Sequence, residues 1–322
     1  MIVKIFKTNQ IIANIFIVLL SVLLWIPAYY IDVELNFENH SLFNLFGKWF
    51  VEYRWLNVLF TSLLIGFQAV FLNFIINQEK LIKGNTHLIG LFYVVLNGAF
   101  ALLFTINPVI ITNTFLITML FLMFKQYSRS DVKSPLFNVS FLLSLATLFY
   151  TPIFCLFPLI WIVLSYVRTP SFRDYFISLI GFLLPFVYLI SYLYITDELY
   201  QSNIIDWIYY PAIFSQNVLN QPFLYYVLVL FGFVVLSGAS LILQLSRDVV
   251  KDRKLFVVLI LLTIFIVVTV LFNTNDYISL YILLTIPISV VLANYFNKLK
   301  KEWLAEVFFI VLVLGILAGY FL

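Results

Sequence analysis

The chain has 322 residues, of which 64% are hydrophobic and only 10% charged, with a mean hydropathy of +1.08. A soluble domain carries about 45–50% apolar and about 25% charged residues, so this composition cannot clothe a water-facing surface. The single cysteine, Cys155, excludes an internal disulfide, and two histidines, His40 and His87, are too few for a histidine-built metal centre within one chain.

Crossing a hydrocarbon layer of roughly 30 Å takes about 20 apolar residues as a helix, because lipid leaves every backbone N–H and C=O to be satisfied internally. The apolar runs predict eleven such helices, near 11–31, 56–77, 87–105, 108–124, 136–150, 153–167, 174–195, 222–245, 255–272, 278–296 and 304–321. A barrel would instead show strands of ~10 residues alternating polar and apolar, and these runs are apolar on all sides. The first run is too long for a cleaved signal and has no small-residue cleavage site before Asp32, so it reads as a retained helix. Asn107-Pro108 and Thr151-Pro152 mark tight turns, where proline closes one helix and opens the next. The third to sixth helices are accordingly expected to include hairpins too short to cross fully. The fold class is therefore all-α: one polytopic transmembrane bundle over residues 1–322.

Charge placement orients the bundle. Lys and Arg favour cytoplasmic loops, and with the N-terminus inside, 16 of the 18 basic residues fall on one face. Only Lys48 and Arg54 fall on the other, which puts the C-terminus outside. The clusters RDVVKDRK, residues 247–254, and NKLKKE, residues 297–302, then read as positive-inside anchors, with contact to anionic lipid as the alternative, and nothing points to nucleic acid. Every charged residue lies in a loop or within a turn of a helix end. Ion-coupled transporters bury an ionisable group at mid-membrane, at a cost of at least ~2.5 kcal/mol; its absence disfavours a proton- or sodium-driven carrier and leaves open a facilitator working through neutral groups. Gln68, Asn73, Asn97, Asn113 and Asn294, the polar residues inside the spans, are expected to hydrogen-bond neighbouring helices.

Charged chemistry is thereby confined to two outer loops, residues 32–54 and 196–221. The stretch YYIDVELNFENH, residues 29–40, sets Asp32, Glu34 and Glu38 within seven positions, on one side if extended, or with Glu34 and Glu38 on one face if helical. The later loop adds Asp197, Glu198 and Asp206 beside Trp207, Tyr209 and Tyr210. Such clusters suit a divalent cation, Mg²⁺ or Mn²⁺, completed by water, and an acidic rim is also what outer loops poor in Lys and Arg become by default.

Residues 136–195 run through a short helix, a Tyr-Thr-Pro turn, a second helix, the basic turn RTPSFRD and a helix carrying Gly-Phe-Leu-Leu-Pro. This order resembles the central hairpins of the GT-C glycosyltransferases, polytopic enzymes that take sugars from polyprenyl-phosphate donors at the outer face of the membrane. Together with INPVIITNTFLITMLF, residues 106–121, it is similar to a family of polytopic inner-membrane proteins of Bacteroidota. The resemblance implies a bacterial inner membrane and a periplasmic site in which Asp32 or Glu34 is the catalytic base or metal ligand, with Glu38, Asp197, Glu198 and Asp206 toward substrate. Within the first loop no two acidic residues are adjacent, the chain's one such pair being Asp197-Glu198. Members of the narrower family sometimes carry a beta-carotene 15,15'-monooxygenase label. That chemistry resembles an iron site of four histidines on a soluble propeller, which two histidines cannot supply.

Three functions follow as expectations: sugar transfer from a polyprenyl-phosphate-linked donor, a non-catalytic membrane subunit in an envelope-assembly or secretion complex, and facilitated passage of a lipid or small molecule.

Overall fold

The computed structural model describes residues 2–7, 11–29, 53–99, 105–128, 133–167, 169–197, 221–245, 249–269, 277–299 and 301–321. Among them are twelve α-helices and no strand. We number them α1 (Ile2–Lys7), α2 (Ile11–Leu24), α3 (Arg54–Gln78), α4 (Leu88–Asn97), α5 (Pro108–Ser128), α6 (Lys133–Phe149), α7 (Phe157–Val167), α8 (Phe172–Ile195), α9 (Gln221–Leu245), α10 (Val250–Val268), α11 (Tyr277–Lys298) and α12 (Glu302–Phe321). Eleven correspond to the apolar runs; the six-residue α1 was not expected, because one and a half turns leave no hydrophobic period to read.

Five stretches are long and apolar enough to cross a membrane: Ile12–Tyr29, Arg54–Gln78, Pro108–Lys125, Phe172–Ile195 and Ile278–Lys298. The protein is a membrane-embedded helical bundle. Burial sorts these spans, since 72% of the α11 window is buried against 28% for the windows of α2 and α8. Hence α11 forms the axis, and α2 and α8 line the lipid.

Two elements depart from the expected lengths. The third helix, predicted over 87–105, is helical only to Asn97; at 10 residues and about 1.5 Å per residue it covers half of the hydrocarbon layer. Every residue of it is buried. The crossing is still completed, because the Ile106 amide donates to Asn57 Oδ1 at 2.7 Å, close to the outer start of α3. The sixth helix is short as well: Thr151–Leu156 winds as a 3₁₀ turn after Tyr150, and α7 follows with 11 residues. Proline explains the break, since Pro152 has no N–H to carry the preceding helix onward.

Contacts tie the basic segments into one end of the molecule. Lys7 Nζ donates to the Leu299 carbonyl (3.2 Å), Asn297 Nδ2 to that of Lys83 (2.8 Å), and the His87 amide to that of Phe6 (2.8 Å). Lys251 Nζ meets Glu79 at 2.9 Å, and Asn294 and Lys298 both donate to Gln244 Oε1. At the opposite end Arg54 Nη2 donates to the Ala28 carbonyl at 2.9 Å. Residues 6–7 and 79–87, Gln244, Lys251 and residues 297–299 thus share one end, as the charge pattern predicts for these segments.

Candidate functional site

Of the six carboxylates expected at the outer rim, Asp32, Glu34, Glu38, Glu198 and Asp206 lie outside the described residues. Asp197 is described, exposed just past α8 with φ 57, the left-handed conformation that Asx residues tolerate after a helix. Among the described residues no three His, Cys, Asp or Glu side chains cluster.

Within the bundle the polar residues do meet as expected. Gln68 on α3 donates to the Ile110 carbonyl and to Thr114 Oγ1, both at 2.7 Å, and accepts the Tyr93 hydroxyl at 2.8 Å. Asn113 on α5 donates to the Ile282 carbonyl of α11 at 2.9 Å and to Tyr93 Oη at 3.3 Å. Asn97 reaches Thr285 Oγ1 at 3.3 Å, and Tyr281 Oη donates to the Leu96 carbonyl at 2.6 Å. This ladder pins the half-length α4 between α3, α5 and α11. It holds no charge, and apart from Asn113 Oδ1, which is buried without a partner, the groups named bond side chains or carbonyls of neighbouring helices, so it is a structural seam.

A different cluster has room for a ligand. At the basic end a cavity of about 390 Å³ is lined by the polar Asn14, Asn73, Asn77, Asn85 and His87 together with Phe67, Val70, Phe71 and Phe74 of α3. Asn14 comes from the first turn of α2, Asn73 and Asn77 from the last turns of α3, and Asn85 and His87 from the connection into α4. Asn77 shapes that connection: its Nδ2 donates to the Thr86 carbonyl at 2.9 Å and its Oδ1 accepts the Thr86 amide at 3.2 Å. Asn73 Nδ2 lies 3.0 Å from His87 Nδ1. Beyond that bond, Asn73 Oδ1, His87 Nε2 and Asn14 Oδ1 are buried without a partner. Burial also holds the His87 imidazole below its usual value of 6.5, so the ring is neutral at pH 7. Phe67 and Phe74 are 58% and 54% exposed, so the aromatic lining continues onto the lipid-facing surface of α3.

Sequence reasoning assigned Asn73 to helix–helix bonding and looked for a site only on the outer loops. The available signal was the Asn73/Asn77 pair, four residues apart on one helix face. Asn14 and His87 join it only through the packing of α2 and α4 on α3.

A family pattern matches the chain across residues 1–322. The chain belongs to DUF6427, a family of unknown function. No curated protein and no solved structure matches it. For this DUF6427 chain the reading therefore rests on the chemistry of its own cavity: neutral hydrogen-bonding groups and aromatic rings in one lining, at the depth where α2 begins and α3 ends.

Proposed function

We propose that the protein is a multi-pass protein of the bacterial inner membrane that takes an amphiphilic lipid from the cytoplasmic leaflet and holds it by its headgroup, as a facilitator or carrier site would. The observation that supports this most is the cavity whose lining joins Asn14, Asn73, Asn77, Asn85 and His87 to Phe67, Phe71 and Phe74. Its polar residues lie within about two turns of the helix ends that carry the basic loops, the depth of lipid headgroups in a bilayer about 40–45 Å thick overall. Its aromatic residues run along α3 toward the acyl chains. Purification of the full chain in mild detergent, followed by native mass spectrometry, tests it: bound lipid is expected in near-stoichiometric amount, and reduced several-fold by Phe71→Ala together with Asn14→Ala. A chain that emerges lipid-free and takes up none on titration overturns the reading, and co-purification of a stoichiometric membrane complex favours a subunit role instead.

A second reading is transfer of a sugar from a polyprenyl-phosphate donor at the periplasmic face, with Asp32 or Glu34 as base or metal ligand and Glu38, Asp197, Glu198 and Asp206 toward the substrate. It draws support from the resemblance of residues 136–195, whose Tyr-Thr-Pro turn winds as a 3₁₀ turn over Thr151–Leu156 and whose Gly-Phe-Leu-Leu-Pro places Pro185 inside α8. Replacing Asp32, Glu34, Asp197 and Glu198 together by Asn or Gln then abolishes transfer; an unchanged glycan profile removes this reading.

A further inference from the structure

A second cavity, of about 450 Å³, shares no residue with the first, and the described residues that line it are all apolar. Its lining runs from Ile5 and Phe6 of α1 through five residues of α2 between Phe16 and Leu24 to Val95 of α4 and Phe309 of α12. The docking of α2 and α12 on the short α4 creates it. A Cβ added at Gly90 would stand 2.8 Å from Ile17 Cδ1, so α2 comes close to α4 there, and the Phe309 ring of α12 meets Phe92 of α4 edge-on at 6.2 Å. In the cleft between them Phe6, Val95 and Phe309, 3–6% exposed, lie deepest, and Ile5, Phe16, Leu19 and Leu23, 46–59% exposed, form the rim. The cleft therefore opens sideways, onto the lipid-facing surface of α2. Lined in this way, it excludes water and takes hydrocarbon.

Depth and length narrow the occupant. At about 1.5 Å per residue, Phe16 and Leu24 lie roughly 8 and 20 Å from the start of α2, and Phe309 and Val313 roughly 10 and 16 Å from that of α12. The cleft thus runs for about 12 Å, from near the basic end to the middle of a hydrocarbon layer of roughly 30 Å, the reach of one lipid chain. A membrane-spanning helix of a second copy needs about 20 residues and the whole layer, and α1, packed against α4 and α12, stands in its way at the basic end. Charge supplies the headgroup. Lys7 Nζ donates to the Leu299 carbonyl, which brings α1 to the start of α12, where Lys301 is exposed. Glu302 and Glu306 act on Lys7 from the same helix, yet residues 1–7 and 298–306 together hold five lysines against these two carboxylates, so an anionic phosphate fits this end. We propose that the cleft holds one acyl chain of a diacyl phospholipid of the cytoplasmic leaflet, its phosphate beside Lys7 and Lys301, as a bound lipid that completes the packing around α4. This site is separate from the cavity of Asn73 and His87 and does not depend on it.

The test uses the delipidated full chain in detergent with dioleoyl-phosphatidylglycerol as the probe, counting bound lipids by native mass spectrometry and following the thermal midpoint. Leu19→Trp with Val313→Trp fills the cleft, and Leu183→Trp adds similar bulk on the lipid-facing side of α8. Lipid is expected to raise the midpoint of the wild-type chain. The filled cleft should bind one lipid fewer and respond little to added lipid, whereas Leu183→Trp behaves as the wild type. Filling the cleft in a chain that already carries Asn14→Ala and Phe71→Ala should remove one lipid more, which keeps this site apart from the other cavity. If the paired tryptophans prevent folding, Leu19→Trp alone, at a residue 51% exposed, carries the same expectation. Lys301→Gln should weaken phosphatidylglycerol several-fold and leave dioleoylglycerol unchanged; equal binding of the two lipids overturns the phosphate assignment. A filled cleft that keeps the wild-type lipid count overturns the site itself, and so does a dimer that filling the cleft abolishes, since the occupant is then a second copy.

Discussion

Tyr93 shows how single side chains act in this molecule. It is completely buried, donates to Gln68 and accepts from Asn113, and so joins α4 to α3 and α5. Removing the hydroxyl by Tyr93→Phe leaves Gln68 Oε1 without its donor in an environment that offers no water. A loss of about 1 kcal/mol is expected, in line with hydrogen bonds between membrane helices, and unfolding in graded denaturing detergent measures it. His87 makes a second prediction, about pH. Its folded pKa lies below 6.5, so between the two values the unfolded chain binds more protons than the folded one. Stability is therefore full above about 6.5 and declines as pH falls below it. Thermal midpoints taken from pH 7.5 down to pH 5 should drop, and His87→Gln should flatten that slope. A midpoint that rises on acidification contradicts the neutral, buried ring.

At the scale of elements, close backbone approach and capping decide where helices sit. A Cβ added at Gly181 would stand 2.8 Å from the Phe137 carbonyl oxygen and 3.2 Å from Ser140 Cβ, so α6 and α8 can touch only if that residue is glycine. Gly181→Val is expected to cost about 1–3 kcal/mol through overpacking and to loosen α8, where a protease-accessibility assay on residues 169–171 ahead of it would register it. By comparison, Gly66 meets chiefly the movable Ser21 hydroxyl, and Gly66→Ala should cost far less. Helix starts follow local rules: Asn107 Oδ1 accepts the Ile110 amide at 2.9 Å with Pro108 at the first helical position, and Asp174 Oδ2 accepts both the Ser171 amide and hydroxyl before α8. Asn107→Ala should cost about 1 kcal/mol. These starts were legible because prolines and Asx residues act within four positions. The early end of α4 was not, since the apolar run continues through residues 98–104 and only Tyr281 and Thr285 of α11 show where the helix stops bonding.

For the whole molecule the decisive quantity is the sidedness of charge. The contacts that join Phe6, Lys7, residues 79–87, Lys251 and residues 297–299 bring these basic segments to one end of the molecule, and the positive-inside tendency predicts that this end faces the cytoplasm. Cysteine accessibility checks it on a Cys155→Ser background, the native thiol being buried. Glu34→Cys should react with a membrane-impermeant maleimide on intact cells, and Lys83→Cys only after permeabilisation. The reverse pattern inverts the topology and moves the cavity of Asn73 and His87 to the other leaflet.

What the sequence alone determined was the solvent: chain composition and run length demand a bundle in lipid, and the split of 16 basic residues against two predicts its direction. Those properties are sums over the chain, and they survive any error in a single helix boundary. The cavity is of another kind. Asn14, Asn73 and His87 are separated by 59 and 14 positions, and each by itself looks like an ordinary polar residue near a helix end. Only the docking of α2 and α4 on the same end of α3 buries their polar atoms together and leaves them unsatisfied, because hydrogen-bond debt is a property of the packed neighbourhood and of no residue taken singly.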